Sequence, residues 1–274
     1  MTDVVGSDGK TYKLESRASL VEAKLGGINC PGVDLSFADL SNADLSNSYF
    51  YTGDIPSNEA KTIFKGAILK GANLRGANLG FVDLTSVDLS GSDLRGAILH
   101  GVKLHNTNFN GADMNGVDLS SAQLESATFL NAKISFSNFS WTNFENINFS
   151  GFELSHSNFR SATLSGADLS DAKCDHCDFS GAKLRMTKLK GTDFSYSNFT
   201  RTDICNTDLS DCNLTRVFLD DEFSTVECDD TTKWPNGIRT LRIRTEVLDY
   251  LEHNPRALRK LERKNNRTFR AWRK

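Results

Sequence analysis

Ala67-Ile68-Leu69-Lys70-Gly71, Ala72-Asn73-Leu74-Arg75-Gly76 and Ala77-Asn78-Leu79 repeat one five-residue phrase. A small residue comes first, a polar one second and Leu or Phe third, followed by two polar or Gly positions. From Phe64 every fifth residue to Leu219 is apolar across 32 pentapeptides, with Cys174 serving as a small hydrophobe. A period of five suits neither an α-helix nor a strand. On a helix the apolar residue would spiral around the surface, and on a strand it would alternate faces. The period works if each pentapeptide is one short side of a square coil. The third residue and the small residue two places before it then point inward, and the other three face water. Four sides make a turn of 20 residues, and turns stack through parallel backbone hydrogen bonds.

Ladders at that spacing support four sides. Phe139, Phe159, Phe179 and Phe199 lie 20 apart, as do Phe109, Phe129 and Phe149. Rings so placed gain offset contact in addition to buried area. The small partners Ser137, Ser157, Cys177 and Ser197 keep the same register and leave the rings room.

The phrase resembles that of pentapeptide repeat proteins, written out at Ala72-Asn73-Leu74, Ala112-Asp113-Met114 and Ala167-Asp168-Leu169. The resemblance covers about three quarters of the chain. It implies an all-β solenoid, a right-handed quadrilateral parallel β-helix. It says little of function, because folds host many functions.

Around the repeat the sequence divides further. Residues 1–17 form an N-terminal cap in which Lys10–Leu14 can be a short strand. The repeat occupies 18–219, although Arg17–Leu25 fits either coil or a capping helix. Phe50 and Phe64 are 14 residues apart where five would do, so nine residues loop outward at about 51–61. A C-terminal cap follows over 220–237, with Trp234 expected to cover the last open coil. A basic, short α-helical segment is expected over 238–274. Leu241, Val247, Leu248 and Leu251 mark one apolar stripe and Leu258 and Leu261 a second, after an Asn254-Pro255 start.

Composition narrows the function. A hydrophobic fraction of 38% suits a thin solenoid that buries two residues in five. No apolar run reaches the ~18 residues of a membrane span, and the N-terminus lacks the plan of a signal peptide. Of six cysteines, Cys30, Cys174, Cys177 and Cys212 are expected inward and Cys205 outward, with no disulfide framework, which points to a reducing, cytoplasmic location. The net charge of −3 hides a division: residues 1–230 carry −12 and residues 231–274 carry +9.

No catalytic constellation is found, so no enzyme and no cofactor are expected. Cys174-Asp175-His176-Cys177 looks like half a zinc site, yet the coil turns both sulfurs inward and His176 outward, so no metal is expected. The candidate partner-binding residues are instead Tyr51, Asp54, Ile55 and Pro56 of the loop, and a ring-bearing outward column of Phe136, His156, His176 and Tyr196, with Trp141 on a neighbouring side. Stacking that merely stabilises the sheet is the competing reading of the column.

The expected role is a non-catalytic scaffold for protein–protein interaction. One alternative, carried by the family's Qnr-type quinolone-resistance members, is a DNA mimic that binds a type II topoisomerase. Against it, residues 31–219 carry a net of only −6, and lysines break the acidic columns. A structural part of a larger assembly is a second alternative. The C-terminal residues Leu241, Val247, Leu248, Leu251, Leu258 and Leu261 are candidate homodimer contacts, and nucleic acid is a lesser candidate for the basic tail.

Overall fold

The computed structural model describes residues 2–51 and 62–218, which fall into two compact units, Met1–Asn143 and Phe144–Lys274. The loop residues Asp54, Ile55 and Pro56, the expected cap at Trp234 and the expected C-terminal helical segment with Leu241, Val247, Leu248, Leu251, Leu258 and Leu261 lie outside the described residues. Among the described residues there is no helix.

The pentapeptides form the sides of the coil by pairing their backbone N–H groups, and a side with Asp or Asn in the second place can pair all five. The side Val87–Gly91 shows how. Val87 N closes the corner onto Leu84 O, Asp88 N reaches back to Ala67 O, and Leu89 N and Gly91 N reach forward to Asn108 O and Asn110 O. That leaves Ser90 N, which donates to Asp88 Oδ1 at 3.0 Å. The same side-chain turn recurs at Asp118 with Ser120, at Asp168 with Ser170 and at Asn198 with Thr200. It explains the Asp or Asn of the second place: a short side-chain oxygen caps the one N–H the coils cannot reach.

Parallel bridges join residues 20 apart, such as Ile63↔Asp83 and Asn148↔Asp168, so four pentapeptides make one coil. Third-place residues and their small partners form the core, with Leu69, Leu89, Phe109 and Leu169 fully buried. At several places where the small residue is Ser, Thr or Cys it adds a tie between coils, whereas Ser92 and Thr207 donate within their own coil to Leu89 O and Ile204 O. Thr107 Oγ1 donates to Leu84 O at 2.8 Å, Thr187 Oγ1 to Leu164 O at 2.8 Å and Ser197 Oγ to Cys174 O at 2.6 Å. A buried hydroxyl is thereby satisfied without leaving its inward position.

In the first unit, strand β1 (Thr2–Val5) pairs antiparallel with β2 (Thr11–Leu14). This hairpin rests on the first coil, where Ser7 N donates to Lys24 O and a Cβ at Gly6 would lie 2.5 Å from that same oxygen. Only glycine permits the approach. Coil geometry begins at once, with bridges Ser19↔Asp39 and Lys24↔Asp44, so no capping helix forms over Arg17–Leu25. The insertion shows in the register, which widens to 29 at Asp34↔Ile63 and Tyr49↔Asn78 and returns to 20 at Ile63↔Asp83. Buried Thr62 fixes its exit by donating to Phe50 O and accepting from Gly32 N, each at 2.8 Å. Phe109 and Phe129 stack in this unit with centroids 5.2 Å apart.

In the second unit Phe159 and Phe179 stack at 4.9 Å, with planes 2° apart. The next pair departs from the expected ladder: Phe179 and Phe199 are tilted by 42°. Phe194 meets both rings edge-on and wedges between the orientations they would otherwise share. Cys205 also differs from expectation, being buried although it occupies an outward place. Its column neighbour Arg185 extends toward Asp203, 3.6 Å away and two residues before the thiol, and a small side chain at this corner is covered by its longer neighbour. Ser120 is buried in the same place under His100, whose Nδ1 is 2.7 Å from its hydroxyl.

Candidate functional site

The last residue of nearly every described pentapeptide turns the corner with a positive φ, Asp211 being an exception. Glycine does so freely at Gly71 (φ +66°) and Asn at little cost, as at Asn42 (φ +54°). Several expected surface residues occupy this same strained position: Phe136, Trp141, His156, His176 and Tyr196 have φ between +56° and +63°. The side chain there projects away from the core, so the corner columns are where the fold can display groups.

In the first unit Phe136 is 64% exposed and Trp141 68% exposed, on successive corners. Phe37 is a further exposed aromatic corner residue of this unit. Tyr51, at the start of the insertion, is half-buried and packs on Phe81 at 5.2 Å, and Phe81 in turn meets the His100 ring edge-on at 5.0 Å. Tyr51 thus braces the base of the loop against the neighbouring coils.

In the second unit the corner column is continuous. His156 and His176 stack at 4.7 Å, His176 and Tyr196 stack at 4.7 Å, and the Arg216 guanidinium lies 5.5 Å from the centre of the Tyr196 ring. These cross-coil contacts stabilise the column. Beside it, Asp175 Oδ2 lies 3.0 Å from His176 Nδ1, and Asp175 Oδ1 accepts from the Ser155 hydroxyl. Partial burial pushes the Asp175 carboxyl up, but the Ser155 and His176 hydrogen bonds and the His176 charge outweigh it and hold the group below 3.8. An open groove of about 470 Å³ lies beside His176 and Tyr196, lined also by Cys177, Asp178, Asn198, Thr200 and Phe218.

The cysteines of the Cys174–Cys177 segment stay in the core. Burial pushes the Cys174 thiol well above its ordinary value, and Cys177 Sγ donates to Leu154 O at 3.1 Å. Zinc ligation by that pair would require opening the coil. Sequence reasoning missed Asp175, Ser155 and Arg216 as members of the column's surroundings. The 20-residue spacing that aligned the histidines also aligns Ser155 with Asp175 and Tyr196 with Arg216.

Acidic residues do not build a continuous ridge. The second-place columns read Asp44, Asn73, Asp93, Asp113, Lys133 in the first unit and Asn148, Asp168, Lys188, Asp208 in the second. No such column carries three acids in succession among the described residues. Lys188 pairs with Asp168 at 3.1 Å and Lys173 with Glu153, neutralising neighbours within the wall.

Comparison with known proteins assigns the family. The description "Pentapeptide repeats (8 copies)" matches residues 16–50, 62–101 and 172–211, and "Pentapeptide repeat region" matches 82–159. The chain is a pentapeptide repeat protein. Among solved structures, this pentapeptide repeat protein is similar to HetL of the cyanobacterium Nostoc sp. strain PCC 7120, which is involved in heterocyst differentiation regulation. The two are 28% identical over 77% of this chain and 90% of HetL, with a TM-score of 0.62. It is also similar to QnrB1, a plasmid-mediated fluoroquinolone resistance protein, at 23% identity over 75% of this chain and 88% of that one, with a TM-score of 0.35. A pentapeptide repeat protein of the Arabidopsis thaliana thylakoid lumen matches at 28% identity over 44% of this chain and 72% of that one, with a TM-score of 0.30. No curated protein matches the chain.

Proposed function

We propose that this pentapeptide repeat protein is a non-catalytic scaffold that presents its corner side chains to a protein partner. The observation that carries the reading is Trp141, which holds a left-handed backbone (φ +63°) while remaining 68% exposed. A non-glycine residue there costs about 1–2 kcal/mol relative to a right-handed conformation, and Gly or Asn would carry the corner more cheaply. A large indole left mostly in water does not recover that cost by packing. Exposed aromatics on a rigid platform are the chemistry of an interface anchor. Phe136, on the preceding corner, adds a second aromatic surface.

The broken acidic columns give the topoisomerase-binding, duplex-mimic reading no continuous ridge to offer a DNA-binding groove, so the partner surface is assigned to the aromatic corners. The test is affinity purification of the full chain from its native cell, beside a Trp141→Asn/Phe136→Asn variant. A protein recovered by the parent and lost by the variant supports the reading. Equal recovery by both refutes it. Relief of fluoroquinolone inhibition of gyrase supercoiling by both proteins alike would place the contact elsewhere and sink the aromatic-corner assignment.

A further inference from the structure

We propose that His156, Asp175 and His176 form a surface site for a divalent cation of the zinc–copper class. The three residues come from two adjacent coils of one unit, and one ligand atom from each lies within 4.8 Å of the others. Asp175 Oδ2 and His176 Nδ1 are hydrogen-bonded to each other at 3.0 Å, and an ion entering there replaces the proton they share, which leaves to solvent, while the two atoms spread to the roughly 3.4 Å of a tetrahedral set. His156 supplies the third ligand, its nitrogen lying within 4.8 Å of the other two while its ring stacks on His176. Waters complete the coordination.

The surroundings favour an ion there. Ser155 holds Asp175 through Oδ1, which leaves Oδ2 directed at His176; this is the supporting hydrogen bond that ligating carboxylates require. The His176 ring is held between His156 and Tyr196, each at 4.7 Å, so its orientation is fixed before any ion arrives. Two imidazoles and one carboxylate suit zinc, copper or nickel, whereas magnesium and calcium prefer oxygen alone. Cys174 and Cys177 cannot compete, because both are buried in the core behind this corner. Elsewhere His105 faces only Glu125, at 3.3 Å, and His100 is engaged with Phe81 and Ser120. Among the described residues, His156, Asp175 and His176 are the group of three that meets the distance requirement.

The corner backbone provides a clean variant. His156 and His176 have φ of +60° and +56°, and Asn occupies the same place at Asn146 and Asn206, so His→Asn changes keep the local conformation. Untagged full-length protein is titrated with zinc chloride by calorimetry, and with copper(II) for electron paramagnetic resonance. One equivalent of zinc should bind, and the copper spectrum should show coupling to two imidazole nitrogens. His156→Asn/His176→Asn should weaken zinc binding at least about 100-fold, and Asp175→Asn about 10-fold. A Cys228→Ser/His253→Asn variant should bind as the parent does. The proposal is overturned if the His double variant binds within twofold of the parent, if only the Cys228/His253 variant loses binding, or if the parent takes up no zinc at millimolar concentration. Copper bound without imidazole coupling in the parent overturns it as well, whatever the variants do.

Discussion

Truncating Phe179 to Ala tests whether the aromatic interior holds the second unit together. Its side chain is fully buried, with Phe159 stacked on it at 4.9 Å, Phe199 at 5.2 Å and Phe194 edge-on at 5.4 Å. The change removes the transfer energy of the ring and leaves a cavity that three other rings cannot collapse into without giving up their own contacts. The expected loss is therefore near the upper end of about 3–5 kcal/mol. Phe179→Leu retains most of the volume and should cost only about 1–1.5 kcal/mol, chiefly the lost ring contacts. Urea unfolding at constant m-value measures both. In a solenoid each coil contacts mainly its neighbours, so hydrogen exchange should accelerate in the coils around Phe159–Phe199 far more than in residues 64–104. A loss below about 1 kcal/mol for Phe179→Ala, or equal acceleration in both segments, would refute the reasoning.

Three further tests address the backbone logic and the charges. Asp118→Ala removes the acceptor of Ser120 N (2.9 Å) and of Asn138 Nδ2 (3.0 Å) and should cost about 1–2 kcal/mol in denaturant unfolding, while Asp118→Asn keeps the turn; equal losses for both would count against the side-chain cap. Gly191→Ala should destabilise more than Gly111→Ala, since both have positive φ but only at Gly191 would the new Cβ meet a neighbour, the Asp171 carboxylate, which must swing aside; thermal melting with the reverse order would contradict this. Asp93 is held below 3.8 by the Arg95 hydrogen bonds and charge, and Asp34 by the hydroxyl and backbone hydrogen bonds of Ser36, so their stabilisation is present above that value and is lost as pH falls below about 4. Burial pushes Cys30 and Cys212 up to about 12 from 9.0, so stability should also decline between pH 9 and 12, and a flat profile at either end would contradict the assignment.

The fold was legible because its signal is long-range and discrete. A leucine or phenylalanine every fifth place admits one economical geometry, and Ile63↔Asp83 and its successors realise it. The nine-residue insertion was equally plain in the Phe50–Phe64 spacing and reappears as the 29-residue register at Asp34↔Ile63. Sequence reading did not explain the Asp or Asn of the second place. Its reason is a single N–H, that of the fourth residue, which becomes visible only when the other four have been traced to their partners. The tilt of Phe199 and the burial of Cys205 escaped for a related reason. Both depend on which neighbour, Phe194 or Arg185, leans into the space, and periodicity carries no information about lean.

The candidate site was half legible. Counting by 20 aligned His156, His176 and Tyr196, and their rings do stack. The metal question was put along the chain, to Cys174-Asp175-His176-Cys177, and the count by 20 was not applied to it. The coil alternates inside and outside within those four residues: the sulfurs enter the core, while Asp175 and His176 emerge beside a histidine 20 residues earlier. The proposed ligand set therefore joins two neighbours along the chain to a histidine of the preceding coil. A corner residue makes little contribution to the interior, so the columns can change chemistry while Leu, Phe and the Asp or Asn turn keep the coil intact. That separation explains why an interior this regular reveals the architecture fully and leaves function to be argued from the corners.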